Sequence, residues 1–355
     1  MEKDRVSFLR RFVETACPSG FEAKTSRLWR EEAAKFADRT WADLHGNSIA
    51  VLNVGGEPRV MLAGHIDEIG LMITYIDEKG YLYFTGIGGW DPQILPGQRV
   101  RIHVKGEPIL GVIGRKPIHL LKEEDKKKVV ELEGLWIDIG AKDKEEAASL
   151  VRIGDPAVLD YGFDVLRNDL VVARGFDDRV GAFIVLEAAR LLTEMDFAPA
   201  VYAVATVQEE VGLRGARTSA FGIDPQVGIA VDVGFATDTP GAENEKKRVG
   251  DTKMGDGPII ARGANINPRL FDLLVDTAES HKIPYQLEGS PRGTGTDANA
   301  IQLTRTGVAT GLISVPNRYM HSPCEVVHLG DLENIYRLIA CTVATIDENT
   351  DFIPN

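Results

Sequence analysis

The chain of 355 residues has few cysteines, no long uncharged apolar run and no block of basic residues. Its three cysteines, Cys17, Cys324 and Cys341, are too few for a disulfide framework, and their spacing fits no zinc-finger pattern. No uncharged apolar run approaches the roughly 18–20 residues that a membrane-spanning helix needs. These absences argue against a disulfide-stabilised scaffold, a zinc finger and a membrane-spanning protein.

The shortage of positive charge excludes a further set of partners. Lysine and arginine number 40 against 53 aspartate and glutamate, which gives a formal net charge of −13. An acidic chain without a basic block is poorly suited to nucleic acid or to an anionic membrane surface. The charged first residues open an amphipathic stretch, which is not the pattern of a signal peptide. With 44% hydrophobic and 26% charged residues, we expect a cytoplasmic globular protein, and its size favours an enzyme.

Two kinds of sequence pattern divide the chain. Residues 71–165 contain many short β-like runs separated by closely spaced turn signals, which is typical of a small barrel or sandwich. In residues 1–70 and 166–355, strands alternate with helices such as Pro268–Ser280, which Asn267 is expected to cap. This alternation predicts an α/β sheet with helices on its faces. We therefore expect one α/β domain interrupted by a β-rich insertion.

The elements predicted for the α/β part are long enough to be compared individually with a structure. The predicted strands are Ser48–Val54, Arg59–Ala63, Leu170–Ala173, Val201–Val207, Gln226–Val233, Tyr285–Leu287 and Val308–Ser314. The predicted helices, after the amphipathic stretch near the start, are Val180–Thr193, Pro268–Ser280, Ala298–Thr304 and Leu332–Ile346.

Acidic and histidine residues follow or close several of these apolar runs. They are His65, Asp67, Asp177, Asp178, Glu209, Glu210, Asp232 and His321. In open α/β sheets the ligand crevice lies outside the carboxyl ends of the strands, so distant parts of the chain would deliver these side chains to one edge. Two imidazoles and several carboxylates are the ligand set that a pair of divalent metal ions needs.

Each of these residues also has an interpretation without a metal. Taken alone, His65 could be an ordinary core histidine, although Asp67 nearby could hold its imidazole N–H as metal-site carboxylates do. Asp177-Asp178 could cap a helix, and Glu209-Glu210 could be a solvated strand end. Asp232 is the hardest to explain in this way, because a charge inside an apolar run needs a partner. Together the residues favour the metal site.

The segments around these residues carry a family resemblance. They are Gly64-His65-Ile66-Asp67-Glu68-Ile69-Gly70, Phe176-Asp177-Asp178-Arg179, Val207-Gln208-Glu209-Glu210-Val211-Gly212, Asp232, Gly295-Thr296-Asp297-Ala298 and Met320-His321-Ser322-Pro323. In this order, over essentially the whole chain, they resemble the motifs of the di-metal aminopeptidases that include glutamyl, deblocking and tetrahedral aminopeptidases. The resemblance implies a zinc-peptidase-like mixed sheet flanked by helices, with an inserted barrel-like dimerisation domain at residues 71–165. It also implies homo-oligomers, from dimers to a tetrahedral dodecamer.

The resemblance further implies a role for each site residue. The implied metal ligands are His65 and Asp232 for one ion, Glu210 and His321 for the other, and Asp177 as the bridge. Glu209 would be the general base, Asp67 would orient His65, and Asp178 would complete an Asp-Asp peptide held cis. Zinc is the expected metal, with cobalt and manganese as alternatives that the same ligands accept.

The implied activity is removal of the first residue from peptides with a free N-terminus. Two other functions stay open at this point. Paired carboxylates also serve glycoside hydrolysis, as in a cellulase, although that chemistry leaves the two histidines unexplained. A non-catalytic assembly protein could keep the same fold, although the complete ligand set argues against it. The loop Gly293–Ala298 fits a dinucleotide-binding glycine pattern, but it does not open a βαβ unit.

Overall fold

The computed structural model describes residues 1–354. In this range the chain forms nine α-helices and seventeen β-strands. The helices are α1 (Lys3–Glu14), α2 (Ala23–Ala33), α3 (Lys144–Leu150), α4 (Phe176–Leu192), α5 (Arg214–Ile223), α6 (Lys246–Val249), α7 (Pro268–Ser280), α8 (Asp297–Ile301) and α9 (Leu329–Ala344). The strands are β1 (Arg39–Ala42), β2 (Ser48–Leu52), β3 (Arg59–His65), β4 (Gly70–Ile76), β5 (Leu82–Ile87), β6 (Arg99–Ile102), β7 (Ile109–Gly114), β8 (Trp136–Asp138), β9 (Pro156–Leu159), β10 (Asp164–Val165), β11 (Leu170–Ala173), β12 (Ala200–Thr206), β13 (Val227–Phe235), β14 (Ile259–Gly263), β15 (Gln286–Ser290), β16 (Ala309–Asn317) and β17 (Glu325–His328).

A mixed sheet of eight strands forms the centre of the larger unit, in the order β1-β2-β12-β3-β13-β16-β14-β15. The four central strands, β12, β3, β13 and β16, run parallel to one another. Strands β1 and β2 pair antiparallel at one edge, and β14 pairs antiparallel with β16 towards the other. The central strands are almost continuously apolar and buried, as expected when helices cover both faces of a sheet.

Helix α4 packs directly against this sheet. Its segment from Val180 to Ala189 is buried throughout and almost entirely apolar, so the helix belongs to the core rather than to the surface. Gly64 near the end of β3 allows a close approach, because a Cβ there would lie 2.3 Å from the carbonyl carbon of Gly181. This contact sets the end of β3 beside the first turn of α4.

The inserted segment forms a closed barrel of six strands in the order β4-β5-β8-β7-β6-β9, with every neighbouring pair antiparallel. Its interior is a second hydrophobic core that includes Leu71, Ile73, Val100 and Ile137. Helix α3 begins where the Asp143 side chain accepts a hydrogen bond from the Glu146 backbone N–H, a standard N-cap. No helix in residues 1–354 combines the length and the apolar character of a membrane span.

A small third sheet, β10-β11-β17, joins two segments that lie far apart in the chain. Strand β11 pairs antiparallel with β17, so that Ala173 lies opposite Glu325. Strand β11 leads into α4, and β17 follows the loop that carries His321. The pairing therefore brings the beginning of α4 next to that loop.

The predicted α/β class with a barrel-like insertion is confirmed. Helix α7 lies at the predicted residues, with the Asn267 side chain accepting from the backbone N–H groups of Arg269 and Leu270. Helix α4 begins four residues before the predicted Val180. In the α/β part, the predicted elements did not include β1, β10, β14 and β17, nor the helices α5 and α6.

Candidate active site

The eight acidic and histidine residues singled out in the sequence meet at the carboxyl ends of the central strands. His65 ends β3 and Asp67 follows it, Asp177 and Asp178 open α4, Glu209 and Glu210 follow β12, Asp232 lies in β13, and His321 follows β16. Asp67 and Asp178 are inaccessible to solvent and most of the others are buried, while Glu210 and His321 are half-buried. Parallel pairing of the strands brings these ends to one edge of the sheet, as the strand-end pattern predicts.

Asp177 lies between the two histidines. Its Oδ1 is 3.2 Å from Nε2 of His65, and its Oδ2 is 3.1 Å from Nε2 of His321. The same His321 nitrogen is 3.5 Å from Oε1 of Glu210. That Glu210 oxygen is buried and has no hydrogen-bond partner among residues 1–354. The two oxygens of Asp177 thus face one imidazole each. The Glu210 oxygen beside them has no hydrogen-bond donor in the described part of the chain.

Asp178 is oriented differently from its neighbour. Its carboxylate accepts hydrogen bonds from the backbone N–H groups of His65, at 3.2 Å, and Gly181, at 3.1 Å. The peptide bond between Asp177 and Asp178 is cis. Two groups of ligand-type atoms each lie within 4.8 Å of one another, one from His65, Asp177 and Glu210 and the other from His65, Asp178 and Asp232. His65 is common to both groups.

Asp67 contacts both His65 and the Glu209-Glu210 turn. Nδ1 of His65 is 3.0 Å from the Asp67 carbonyl oxygen and 3.6 Å from the carboxylate Oδ1. The carboxylate accepts hydrogen bonds from the backbone N–H groups of Glu209, at 3.1 Å, and Glu210, at 3.3 Å. The shorter contact to the imidazole therefore comes from the backbone of Asp67. Its side chain instead accepts hydrogen bonds from the backbones of Glu209 and Glu210.

The cluster is electrostatically unfavourable for carboxylates by themselves. Burial raises the pKa of Glu209 to about 10, and neighbouring carboxylates such as Asp232 add to that shift. Burial also raises the pKa of Asp232 to about 8, against the opposing charge of His65, and the pKa of Glu210 rises for the same reason. Buried carboxylates that repel one another retain protons unless a cation neutralises them. Added positive charge would therefore stabilise the ionised form of these carboxylates.

The barrel also contributes to the site, which the sequence patterns did not indicate. The carbonyl oxygen of Gly89, in the loop after β5, is 2.9 Å from Nδ1 of His321. A Cβ on the adjacent Gly88 would lie 2.6 Å from Cγ2 of Ile69 and 3.2 Å from Oε2 of Glu210. The Gly88-Gly89 doublet was noticeable in the sequence only as a turn signal. The structure gives it a second role, because Gly88 leaves no room for a side chain and the Gly89 backbone contacts His321.

A buried cluster of charged residues lies next to the site and consists of Glu68, Arg174 and Arg179. The Glu68 carboxylate accepts hydrogen bonds from Nη1 of Arg174, at 2.5 and 2.6 Å, and from Nη2 of Arg179, at 2.9 Å. Burial acts to raise the pKa of Glu68, but Arg174 and Arg179 outweigh it and hold that pKa below its ordinary value. Arg179 also donates to the carbonyl oxygen of Thr15. The cluster ties the end of β3 to the first turn of α4 and to the N-terminal segment.

Comparison with known proteins gives matches over most of the chain. Residues 46–338 match a protein-family model described as M42 glutamyl aminopeptidase. The lysyl aminopeptidase of Pyrococcus furiosus is 38% identical over 349 residues, which cover 98% of this chain and 98% of that protein.

Two solved structures resemble the fold closely. The TET aminopeptidase from the marine sediment archaeon Thaumarchaeota archaeon SCGC AB-539-E09 gives a TM-score of 0.93 at 36% identity, with 98% of both chains covered. The Pyrococcus horikoshii TET1 peptidase, which can assemble into a tetrahedron or a large octahedral shell, gives a TM-score of 0.86 at 36% identity. That match covers 96% of this chain and 100% of the other.

Proposed function

The chain belongs to the M42 glutamyl aminopeptidase family, and on that basis we propose that it removes N-terminal residues from peptides with two divalent metal ions. The observation that carries this proposal is the position of Asp177, whose two carboxylate oxygens face Nε2 of His65 and Nε2 of His321 at 3.2 and 3.1 Å. A carboxylate in this position would be suited to hold two cations, for which His65 and His321 would supply the imidazole ligands.

The chemistry of the donors supports a pair of metal ions. We assign the ligands as His65 and Asp232 for one ion, Glu210 and His321 for the other, and Asp177 as the bridge. Imidazole and carboxylate together suit zinc, and also cobalt or manganese. The Glu210 Oε1 is buried without a partner among residues 1–354, and burial raises the pKa values of Glu209 and Asp232. Bound cations would give that oxygen a partner and would lower both pKa values, so that the carboxylates are ionised. When bound, such a pair lowers the pKa of a water molecule and polarises a carbonyl group.

Glu209 is the general base in this proposal. Its Oε2 is 3.7 Å from Nε2 of His65, so its carboxylate lies beside the assigned ligands. The Asp67 carboxylate accepts a hydrogen bond from the Glu209 backbone N–H, which holds the Glu209 backbone beside the other site residues. Glu209 would accept a proton from the water that attacks the peptide carbonyl and would return that proton to the leaving amine, as a positioned carboxylate does in general acid–base catalysis.

The site also offers a reason to require a free N-terminus. Carboxylates in excess of the histidines surround the reaction centre, so a positively charged α-ammonium group would be attracted there. A blocked N-terminus lacks that charge and would be disfavoured. We therefore propose peptides with a free N-terminus as substrates.

We further propose that the chain forms a homo-oligomer through its barrel. Leu110 and Val112 project outward from β7 and are each 44% exposed. Exposed apolar residues on one outer face of a small barrel favour an interface. The similar Pyrococcus horikoshii TET1 peptidase can assemble into a tetrahedron or a large octahedral shell, and a tetrahedral dodecamer built from dimers is the assembly that we propose here.

Hydrolysis of aminoacyl p-nitroanilides before and after chelation tests the proposed activity. We expect turnover to disappear when the metal is removed, to return with zinc, cobalt or manganese, and to be absent with N-acetylated substrates. A soluble cellulose derivative serves as the second substrate, for which we expect no hydrolysis. Activity that survives complete metal removal, or cleavage of the cellulose derivative in place of the anilides, would overturn the proposal.

A further inference from the structure

Glu325 is a buried carboxylate that connects two of the assigned ligand residues through their backbones. It is 2% exposed and begins β17. Its Oε2 accepts a hydrogen bond from the backbone N–H of Asp177 at 2.9 Å, and its Oε1 accepts one from the backbone N–H of His321, also at 2.9 Å. One side chain thus joins the backbones of two residues whose own side chains meet at 3.1 Å.

The backbone of Glu325 is itself fixed. Glu325 lies opposite Ala173 in the antiparallel pair of β17 with β11, and β11 leads directly towards Asp177. The carboxylate therefore extends from a strand that is already paired beside the first turn of α4. This arrangement determines where the His321 backbone can lie relative to Asp177.

His321 needs such support because its backbone is in the left-handed region, with φ of 58°. Residues with a Cβ disfavour this conformation unless surrounding contacts hold it. The hydrogen bond from its N–H to Glu325 holds one side of the residue, and the carbonyl oxygen of Gly89 holds the imidazole at Nδ1. The remaining nitrogen, Nε2, is left facing Asp177 and Glu210.

We propose that Glu325 is a positioning residue that sets the separation of Asp177 and His321 and thereby the metal affinity of the Glu210–His321 half of the site. This inference rests on the proposed two-metal function. Glu325 accepts hydrogen bonds from two backbone N–H groups and touches no reacting atom. It therefore acts only through Asp177 and His321. Outer carboxylates of metal sites commonly change metal affinity by roughly 10–100-fold when they are replaced.

A matched control is available in Asp331, which is inaccessible to solvent. Its two carboxylate oxygens accept the backbone N–H groups of Gly255, at 2.7 Å, and Gly257, at 2.9 Å. It forms no hydrogen bond or ion pair to the eight site residues within residues 1–354. Asp331→Asn therefore disturbs the same kind of carboxylate clamp away from the site, as Glu325→Gln does beside it.

The test is calorimetric titration of metal-stripped protein with zinc, together with thermal unfolding of the stripped protein. In Glu325→Gln the new amide N–H₂ faces a backbone N–H, so one of the two hydrogen bonds is lost. We expect one of two zinc ions to bind roughly 10–100-fold more weakly and the other to bind within about twofold of wild type. Asp331→Asn is expected to lower the unfolding temperature while leaving both zinc affinities unchanged.

The possible outcomes separate this inference from the proposed function. Wild-type protein that binds no zinc pair overturns the proposed two-metal site and the inference with it. If Glu325→Gln binds both zinc ions with wild-type affinity, or if Asp331→Asn loses zinc affinity to the same extent as Glu325→Gln, the positioning role alone is overturned. Glu325→Asp, which keeps the charge but shortens the reach, is the second variant, and the same selective loss in it supports the inference. If neither Glu325 variant folds, Glu325 has a structural role and the inference is wrong.

Discussion

At the scale of single residues, several carboxylates of this site hold the backbone rather than face the reaction centre. Asp67 accepts the N–H groups of Glu209 and Glu210, and Asp178 accepts those of His65 and Gly181. These hydrogen bonds fix the backbone of residues whose side chains would bind metal or move protons. The residues are therefore held in place before substrate binds. Sites held in this way lose little energy to reorganisation during a reaction.

Replacement of Glu209 by glutamine tests its role as the base. The substitution keeps the size of the side chain but removes the proton acceptor, so we expect kcat to fall by about 10²–10⁴-fold. Metal content should stay at the wild-type level, because Glu209 is not an assigned ligand. Steady-state kinetics and elemental analysis of the same preparation measure both quantities.

Glu210→Gln is the matched control for that variant, since it changes the adjacent residue in the same way. There we expect loss of metal together with loss of turnover. Near-wild-type turnover in Glu209→Gln would remove Glu209 from the role of base.

At the scale of elements, burial decides which parts of the fold the sequence could predict. Strands β3, β12, β13 and β16 lie within a few residues of their predicted positions, because buried parallel strands are continuous apolar runs. Helix α5 was missed because Arg214–Ile223 contains two glycines and several residues with poor helix propensity. Strand β17 has only four residues and is held by pairing with β11, which no local pattern reveals.

The same distinction applies to the candidate site. The strand-end rule identified the eight side chains that the structure brings together, because each follows or interrupts an apolar run. It could not identify Glu325, whose two hydrogen-bond donors lie 148 and 4 positions away in the chain. Nor could it identify Gly89, which reaches His321 across 232 positions. Residues that act by supporting others become visible only in three dimensions.

The Glu68 cluster predicts how the junction of β3 and α4 responds to acid. Since Arg174 and Arg179 hold the pKa of Glu68 below its ordinary value of 4.5, its stabilising contribution is complete above that pH. It is lost as the pH falls through the lower folded-state pKa. Glu68→Gln should therefore unfold more easily near neutral pH, by about 3–5 kcal/mol as for a broken buried pair, and lose less stability below about pH 4.5.

Denaturant unfolding of metal-stripped protein between about pH 3 and pH 7 measures this effect. The control is Glu145→Gln, which removes an exposed carboxylate on α3 and should leave the curve close to wild type. Parallel wild-type and Glu68→Gln curves over the whole range would contradict the role of this ion cluster in acid stability.

At the scale of the whole molecule, the barrel and the α/β unit share one site. Gly88 has a φ of 75°, and a Cβ there would press on Ile69 and approach Glu210. We expect Gly88→Ala to lower kcat/KM by at least about tenfold, since displacement of the proposed ligand Glu210 by even a small distance would be costly. Gly97→Ala is the control, because Gly97 is also left-handed, with φ of 85°, but a Cβ at that position would have no neighbouring atom within 4 Å.

Kinetics on the two glycine variants, with melting temperatures measured in parallel, distinguish a local effect on the site from general strain. Both variants place a side chain in the left-handed region, which costs about 1 kcal/mol or more. Equal losses of activity in Gly88→Ala and Gly97→Ala would indicate that the barrel affects the site only through overall stability.

The proposed oligomer also belongs to this scale. Replacement of both Leu110 and Val112 by lysine places two charges on the outward face of β7, and we expect it to reduce the molecular mass in solution. Metal content per chain should not change, because neither residue contacts the site residues. Thr85→Lys adds a charge at another exposed position of the barrel as the control. Light scattering measures the mass, and an unchanged assembly in the double variant would contradict an interface at this face.

The net charge of −13 acquires a partial explanation from the assembled site. Six of the acidic residues meet there, namely Asp67, Asp177, Asp178, Glu209, Glu210 and Asp232. Two divalent cations would neutralise much of that local charge, so the metal-bound protein should be less negative than its formal count. Part of the acidic composition is therefore located at the candidate site, where bound cations would offset it.

The most direct test of the two-metal site is a back-titration of stripped protein with zinc, in which bound metal per chain and turnover are measured on the same sample. We predict that wild-type protein takes up two ions per chain and regains peptide hydrolysis as they bind. Asp177→Asn, which removes the charge of the assigned bridge, should do neither. Full turnover by metal-free wild-type protein, or wild-type zinc binding by Asp177→Asn, would contradict the assignment.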